Sequence, residues 1–263
     1  MKTTFYKYHG AGNDFIIFDN REKSLHLNEK TINKLCHRQF GIGADGVMLL
    51  QNTREADFEM IYYNADGKIG SMCGNGGRCI ADFSFHILKR TKKEMQFIAA
   101  DGLHYAQILE NNSISLSMQD VRTISFEKGH TILNTGSPHY ILDVKNLKDY
   151  PVFEEGRKIR NQPEFQPKGI NVNFVENEND CIYLRTYERG VENETLACGT
   201  GVTAAAIASV NQLTGIFEKK LKTKEGDLCT VSFEKENATT AKNIILTGPV
   251  QFVFKGEIDL GNF

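Results

Sequence analysis

Apolar and polar positions alternate with a period of two along most of this chain, the mark of half-buried β-strands. Residues 5–8 and 14–19 (DFIIFD) read as two short strands around the turn HGAGN. The same reading predicts strands at 47–51, 58–64, 96–100, 103–109 and 113–118. It continues at 131–134, 140–144, 170–176, 180–187, 219–223, 228–233, 244–247, 250–254 and 257–260. Three segments carry helical character instead. Residues 28–39 place Ile32, Leu35 and Cys36 on one face, with Asn28 or Thr31 as cap. Residues 78–88 (RCIADFSFHIL) follow one glycine-rich stretch, and 202–213 (VTAAAIASVNQL) follow another. The last is apolar nearly all round, so it is expected to be buried on every side. The polar segment 149–165 holds a helix or an irregular crossing.

The order of these elements repeats. Each half runs strand, turn, Cys-Gly-x-Gly, helix, then a series of strands. Cys73 and Cys198 lie close to half the chain length apart. Two related halves are expected, each a mostly antiparallel sheet wrapped on an apolar helix.

Composition narrows the classes. The 263 residues allow one large domain or two ordinary ones. Hydrophobic content of 40% and charged content of 24% are those of a globular protein with an ample core. A net charge of −2 points to no nucleic-acid or anionic-membrane partner. No apolar run approaches a membrane span. The opening MKTTFYKYHGAGND lacks the apolar centre of a signal peptide, so a cytoplasmic location is expected. No Cys-x-x-Cys pair occurs, and no metal site is expected.

Six cysteines stand at 36, 73, 79, 181, 198 and 229. Cys36, Cys79, Cys181 and Cys229 sit inside periodic apolar elements and read as core residues. Cys73 and Cys198 differ, because each precedes Gly-x-Gly at an expected helix start. Free backbone N–H groups and the macrodipole there favour negative charge, and so favour a thiolate. Gly74, Gly76, Gly199 and Gly201 leave room for a ligand's charged group to reach those N–H groups. Two such thiols suit a reaction needing one base and one acid on opposite faces of a carbon. His139, after Pro138, reads either as a structural loop histidine or as a proton carrier. Glu188-Arg189 is either a solvated pair or a proton relay with a carboxylate clamp. Asn13 at its turn can simply tolerate an unusual backbone angle.

Two glycine motifs compete with this reading. Residues 41–46 (GIGADG) match G-x-G-x-x-G, but a helix precedes and a strand follows, the reverse of a dinucleotide site. Residues 199–204 (GTGVTA) follow a strand and open a helix, and Glu218 lies beyond. Ten residues separate that strand's end from the glycines, however, and the strands that follow look antiparallel.

The motifs HGAGNDF (9–15), NADG with MCGNGGRC (64–79), GSPH (136–139), INVNF (170–174) and YERGVENETLACGTG (187–201) occur together and in order. In these the chain resembles the diaminopimelate epimerase family over its whole length. The resemblance implies an α+β fold of two pseudo-symmetric domains, each a barrel-like sheet around a central helix, with the active site in the cleft between them. It implies an N-terminal domain of 1–120 plus 252–263 and a C-terminal domain of 121–251. It further implies cofactor-independent epimerisation of LL-2,6-diaminopimelate to the meso form, for lysine and peptidoglycan synthesis, by a homodimer. Carried over by motif, Cys73 and Cys198 are the acid/base pair, and His139 and Glu188 assist the proton traffic. Asn13, Asn64, Asn75, Asn171, Glu188 and Arg189 fall where the family holds its substrate, with backbone groups of Gly74, Gly199 and Thr200. Three positions depart from the common pattern: Ser137 replaces an asparagine before Pro-His, Gly46 a glutamine and Lys68 a serine. Proline-racemase-like enzymes share the two-cysteine plan but usually carry histidine where this chain has Asn75. Relatives of the phenazine-biosynthesis type lack the cysteine pair.

Overall fold

A computed structural model describes residues 2–127, 129–224 and 227–262. Two compact units result, Met1–Leu116 with Pro249–Phe263, and Ser117–Gly248.

In the first unit, β1 (Lys2–Gly10) and β2 (Asn13–Asp19) form a hairpin. Its two turn residues, Ala11 and Gly12, both have positive φ, as a tight hairpin with right-handed twist requires. Helix α1 (Glu29–Cys36) crosses over to β3 (Gly46–Gln51), which pairs parallel to β2. The Asn28 side chain caps α1 by accepting the Thr31 N–H at 2.9 Å. The helix ends three residues earlier than its periodicity predicts. The chain turns back on it, and the N–H groups of Ile42, Gly43 and Ala44 take the carbonyls of Leu35 and Cys36. Those N–H groups are therefore engaged within the fold, and GIGADG is a helix-closing loop. Strand β4 (Phe58–Asn64) pairs antiparallel to β3. Helix α2 (Gly74–Asp82) and a π-helical turn at Phe83–Ile87 then lead to β5 (Glu94–Ala99), parallel to β4. Strands β6 (Gly102–Ile108) and β7 (Ile114–Ser117) complete an antiparallel run.

The second unit repeats this plan. Strands β8 (Ile124–Glu127), β9 (His130–Asn134) and β10 (Pro138–Asp143) are antiparallel neighbours. Helix α3 (Val152–Arg160) crosses over to β11 (Asn171–Glu178), parallel to β10. Strand β12 (Cys181–Glu188) pairs antiparallel with β11. The short β13 (Asn193–Thr195) and helix α4 (Gly199–Ala208) then lead to β14 (Gly215–Lys222), parallel to β12. Strands β15 (Leu228–Asn237) and β16 (Thr240–Gly248) follow antiparallel. The final strand β17 (Gln251–Asp259) pairs with β1 in the first unit.

From β17 to β7 and from β8 to β16, the succession of parallel and antiparallel pairings is the same. Both helix-bearing crossovers in each unit join parallel strands, which explains why the sheets are mostly rather than wholly antiparallel. One face of each sheet packs against α1 or α3, whose apolar stripes meet Phe5, Ile16 and Phe18 or Val172, Phe174 and Tyr187. The other helix is central. Every residue of α2 is buried, and it packs on β1, β2, β3 and β6. Helix α4 touches β9, β10, β11, β12, β14, β15 and β16.

Some boundaries differ from expectation. Helices α2 and α4 begin four and three residues earlier than predicted (Gly74 for 78, Gly199 for 202), because the glycines themselves form the first turn. Helix α4 also stops at Ala208. Beyond it the Ser209 hydroxyl takes the Ala206 carbonyl at 2.7 Å, and the buried Lys235 ammonium takes the Val210 carbonyl at 3.0 Å. The two C-terminal strands expected at 250–254 and 257–260 are one. Gly256 lies opposite Phe5, whose ring would sit 2.7 Å from any added Cβ. Strands β8 and β13 were not expected: β8 alternates over only four residues with Phe126 exposed, and β13 has three residues. Cys181, expected in the core, opens β12 and is half-buried.

Phe174 is fully buried between β11 and α3. Phe174→Ala should lower stability by about 3–5 kcal/mol, seen as a drop in the urea midpoint at unchanged slope.

Candidate active site

In the first unit, Cys73 is the N-cap of α2, with φ −113° and ψ 120°. Its Sγ lies 3.5 Å from the Gly76 N–H and 3.6 Å from Asn13 Oδ1. A chain of polar groups fixes how Asn13 faces it. Buried Arg78, which can only donate, gives a hydrogen bond to Asn75 Oδ1 at 2.9 Å. Asn75 Nδ2 therefore turns to Asn13 Oδ1 at 3.3 Å. At the far end Asp45, a carboxylate, accepts Asn13 Nδ2 at 2.7 Å. Donor and acceptor ends agree, so Oδ1 of Asn13 is directed at the thiol. Arg38 bridges Asp45 and Asp14, and Lys7 also bonds Asp14. Burial pushes the Asp14 carboxyl up, but its bonds from Arg38 and Lys7 outweigh this and hold it below the usual range. Asn64 ends β4 on an exposed position opposite Gly46.

In the second unit, Cys198 is the N-cap of α4 and is 7% exposed. Its Sγ lies 3.4 Å from Thr200 Oγ1, which in turn lies 2.9 Å from His139 Nε2. His139 is the second residue of β10 and is fully buried. Its Nδ1 accepts from Asn173 Nδ2 at 3.0 Å, and Asn173 Oδ1 accepts from Thr186 at 2.9 Å. Burial, followed by the nearby positive charge of Arg189, pushes the imidazole down to about 3. Residues 172 and 174 of β11 face the core beneath α3, which turns Asn171 and Asn173 to the opposite face. Any Cβ at Gly201 would lie 2.4 Å from Asn173 Oδ1, so only glycine lets the first turn of α4 seat against this asparagine.

A third group surrounds Arg189. Asn171 accepts the Arg189 backbone N–H at 2.9 Å and donates to Ser137 Oγ at 2.8 Å; the Arg189 guanidinium reaches the same hydroxyl at 3.3 Å. The departure at Ser137 thus retains a polar link to both residues. The Glu188 carboxylate accepts from Thr195 at 2.8 Å. Gly46 has no space for a side chain, since a Cβ would meet Tyr62 at 2.5 Å.

Cys73 with Asn13 and Asn75, and Cys198 with His139 and Thr200, are therefore assembled as local clusters. The other cysteines differ. Burial pushes the Cys36 thiol up to about 12 and the Cys79 thiol well above its ordinary value. Residue reading missed Asn173, Thr186, Asp45 and Arg78. The signal for Asn173 was available: Asn171 and Asn173 alternate with the apolar Val172 and Phe174, so both lie on one face of the strand.

The His139 environment generates a pH prediction. Its folded value of about 3 lies below the ordinary 6.5, so between these pH values the unfolded chain binds the extra proton. This contribution to stability is complete above about pH 6.5 and is lost as pH falls toward about 3. His139→Gln should make the decline in urea midpoint over that window shallower than in the wild type. Equal declines would contradict a buried neutral imidazole.

A family model described as Diaminopimelate epimerase matches residues 5–124 and 131–253. A diaminopimelate epimerase of Flavobacterium psychrophilum is 47% identical over 257 residues, covering 96% of this chain and 99% of the relative. That of Aquifex aeolicus is 38% identical, covering 97% of each. Among solved structures, a PhzF-family phenazine biosynthesis protein of Bacillus anthracis superposes with a TM-score of 0.73 at 16% identity, covering 98% of this chain and 99% of that one. A hydroxyproline epimerase of Agrobacterium vitis gives 0.71 at 15% identity, with 98% and 91% covered. These two share the fold. No helix among the described residues is long and apolar enough to cross a membrane. Matched over nearly its full length by sequence, the chain belongs to the diaminopimelate epimerase family, an isomerase family.

Proposed function

We propose that this protein interconverts LL- and meso-2,6-diaminopimelate without a cofactor, by a two-base mechanism in which Cys73 and Cys198 alternate as base and acid. The observation that carries this reading is the equivalent placement of the two thiols. Each is the N-cap of a glycine-led helix, in the same crossover of the repeated topology.

One cysteine, as thiolate, takes the α-proton and becomes a thiol. The electron pair left on carbon delocalises into the α-carboxylate. The other cysteine, as thiol, delivers its proton to the opposite face and becomes a thiolate. The stereocentre is inverted, and the roles exchange for the reverse direction. The α-proton of an amino acid is weakly acidic, so the developing charge on the carboxylate needs preorganised donors in a dry site. The helix-start N–H groups at Gly74, Gly199 and Thr200 supply such donors. Arg189, Asn13, Asn64, Asn75 and Asn171 hold the polar ends of the substrate, and His139 and Glu188 assist proton movement. The product serves lysine and peptidoglycan precursor synthesis.

The test is incubation of reduced protein with LL-diaminopimelate in deuterated water, without added pyridoxal phosphate. Meso product carrying deuterium at the inverted carbon is expected. Absence of exchange from a folded sample would remove this substrate. Cys73→Ala and Cys198→Ala should each lower kcat by about 10³-fold or more with unchanged circular dichroism. Full turnover by either variant would refute the two-base scheme.

A further inference from the structure

Asn173 hydrogen-bonds His139 and thereby determines which ring nitrogen carries the proton. The orientation of its amide is pinned by a backbone carbonyl, and the Thr186 hydroxyl, able to donate or accept, conforms to it. Nδ2 lies 3.3 Å from the Tyr140 carbonyl, which can only accept, and Oδ1 takes the Thr186 hydroxyl at 2.9 Å. The group facing His139 Nδ1 at 3.0 Å is therefore an N–H donor. A ring nitrogen that accepts is unprotonated, so in the neutral imidazole the proton sits on Nε2. Nε2–H then donates to Thr200 Oγ1 at 2.9 Å. That bond uses one of the hydroxyl's two lone pairs and none of its donor capacity, so the Thr200 proton is available to Cys198 Sγ at 3.4 Å.

We propose that Asn173 is a positioning residue of the reaction: it locks His139 in the Nε2–H tautomer and so makes Thr200 a hydrogen-bond donor to Cys198. A donated hydrogen bond favours the thiolate over the thiol at that position. The function of the lock rests on the reading of Cys198 as an acid/base residue; the lock itself does not. Gly201 belongs to the same device, since its missing side chain lets α4 approach Asn173.

The experiment is 15N NMR of the His139 ring in histidine-labelled protein, with no substrate present. Wild type should show an unprotonated Nδ1 and a protonated Nε2. In Asn173→Asp the carboxylate can only accept, so Nδ1 should acquire a proton, and kcat should fall by about 10²-fold with KM changed less than about 3-fold. A protonated Nδ1 in the wild type, or an unprotonated one in the variant, would overturn the proposal. Thr200→Val provides a second line should the aspartate variant fail to fold. It should keep the wild-type ring pattern while the pH midpoint for alkylation of Cys198 by iodoacetamide moves up. An unmoved midpoint would break the link from Thr200 to the thiol. Because the ring pattern is read without substrate, a wild type that shows it but does not epimerise would defeat the diaminopimelate reading alone.

Discussion

A helix that starts inside a protein leaves backbone N–H groups without intrahelical partners, and each must find one or be held ready for a ligand. This chain buries two such starts, at Gly74 and Gly199, each preceded by a cysteine in extended conformation. The rest of each unit accommodates that constraint. The sheet covers the apolar flanks of the helix. Glycines in the first turn allow strands to approach, and the polar side chains of His139 on β10 and Asn173 on β11 meet the start of α4. Burial makes the N–H groups valuable for a carboxylate, because dipoles act more strongly where water is excluded.

The polar clusters around the two starts share a logic of direction. In the first unit a donor-only guanidinium and an acceptor-only carboxylate close the ends of a chain of two asparagines, leaving one orientation for each amide. In the second, a backbone carbonyl orients Asn173, which orients His139. Such networks cost stability when incomplete, so their members lock one another. The two thiols consequently meet different neighbours, an amide oxygen at Cys73 and a hydroxyl at Cys198.

Much of this was legible in the chain. Alternation located most strands because one face of each is buried and the other is less so. The placement of Cys73 and Cys198 at helix starts followed from the glycines and the apolar runs behind them. The exact first turns did not, since glycine is a poor helix former and its presence reads as loop. Strand β13 has three residues, too few for a period to show. The gap between the strands expected at 250–254 and 257–260 closes because Gly256 packs against Phe5, distant in sequence. The same holds for Asn173, Asp45 and Arg78: their partners are brought to them by strand register and helix packing, which no local pattern encodes.

The central claim is that each thiol serves one face of the α-carbon. The most direct test is α-proton exchange by the single variants Cys73→Ser and Cys198→Ser in deuterated water, with each stereoisomer offered separately. The account predicts that each variant exchanges the α-proton only of the isomer that presents it to the remaining thiol, and inverts neither. Inversion of configuration by a protein with one of the two thiols removed would contradict it.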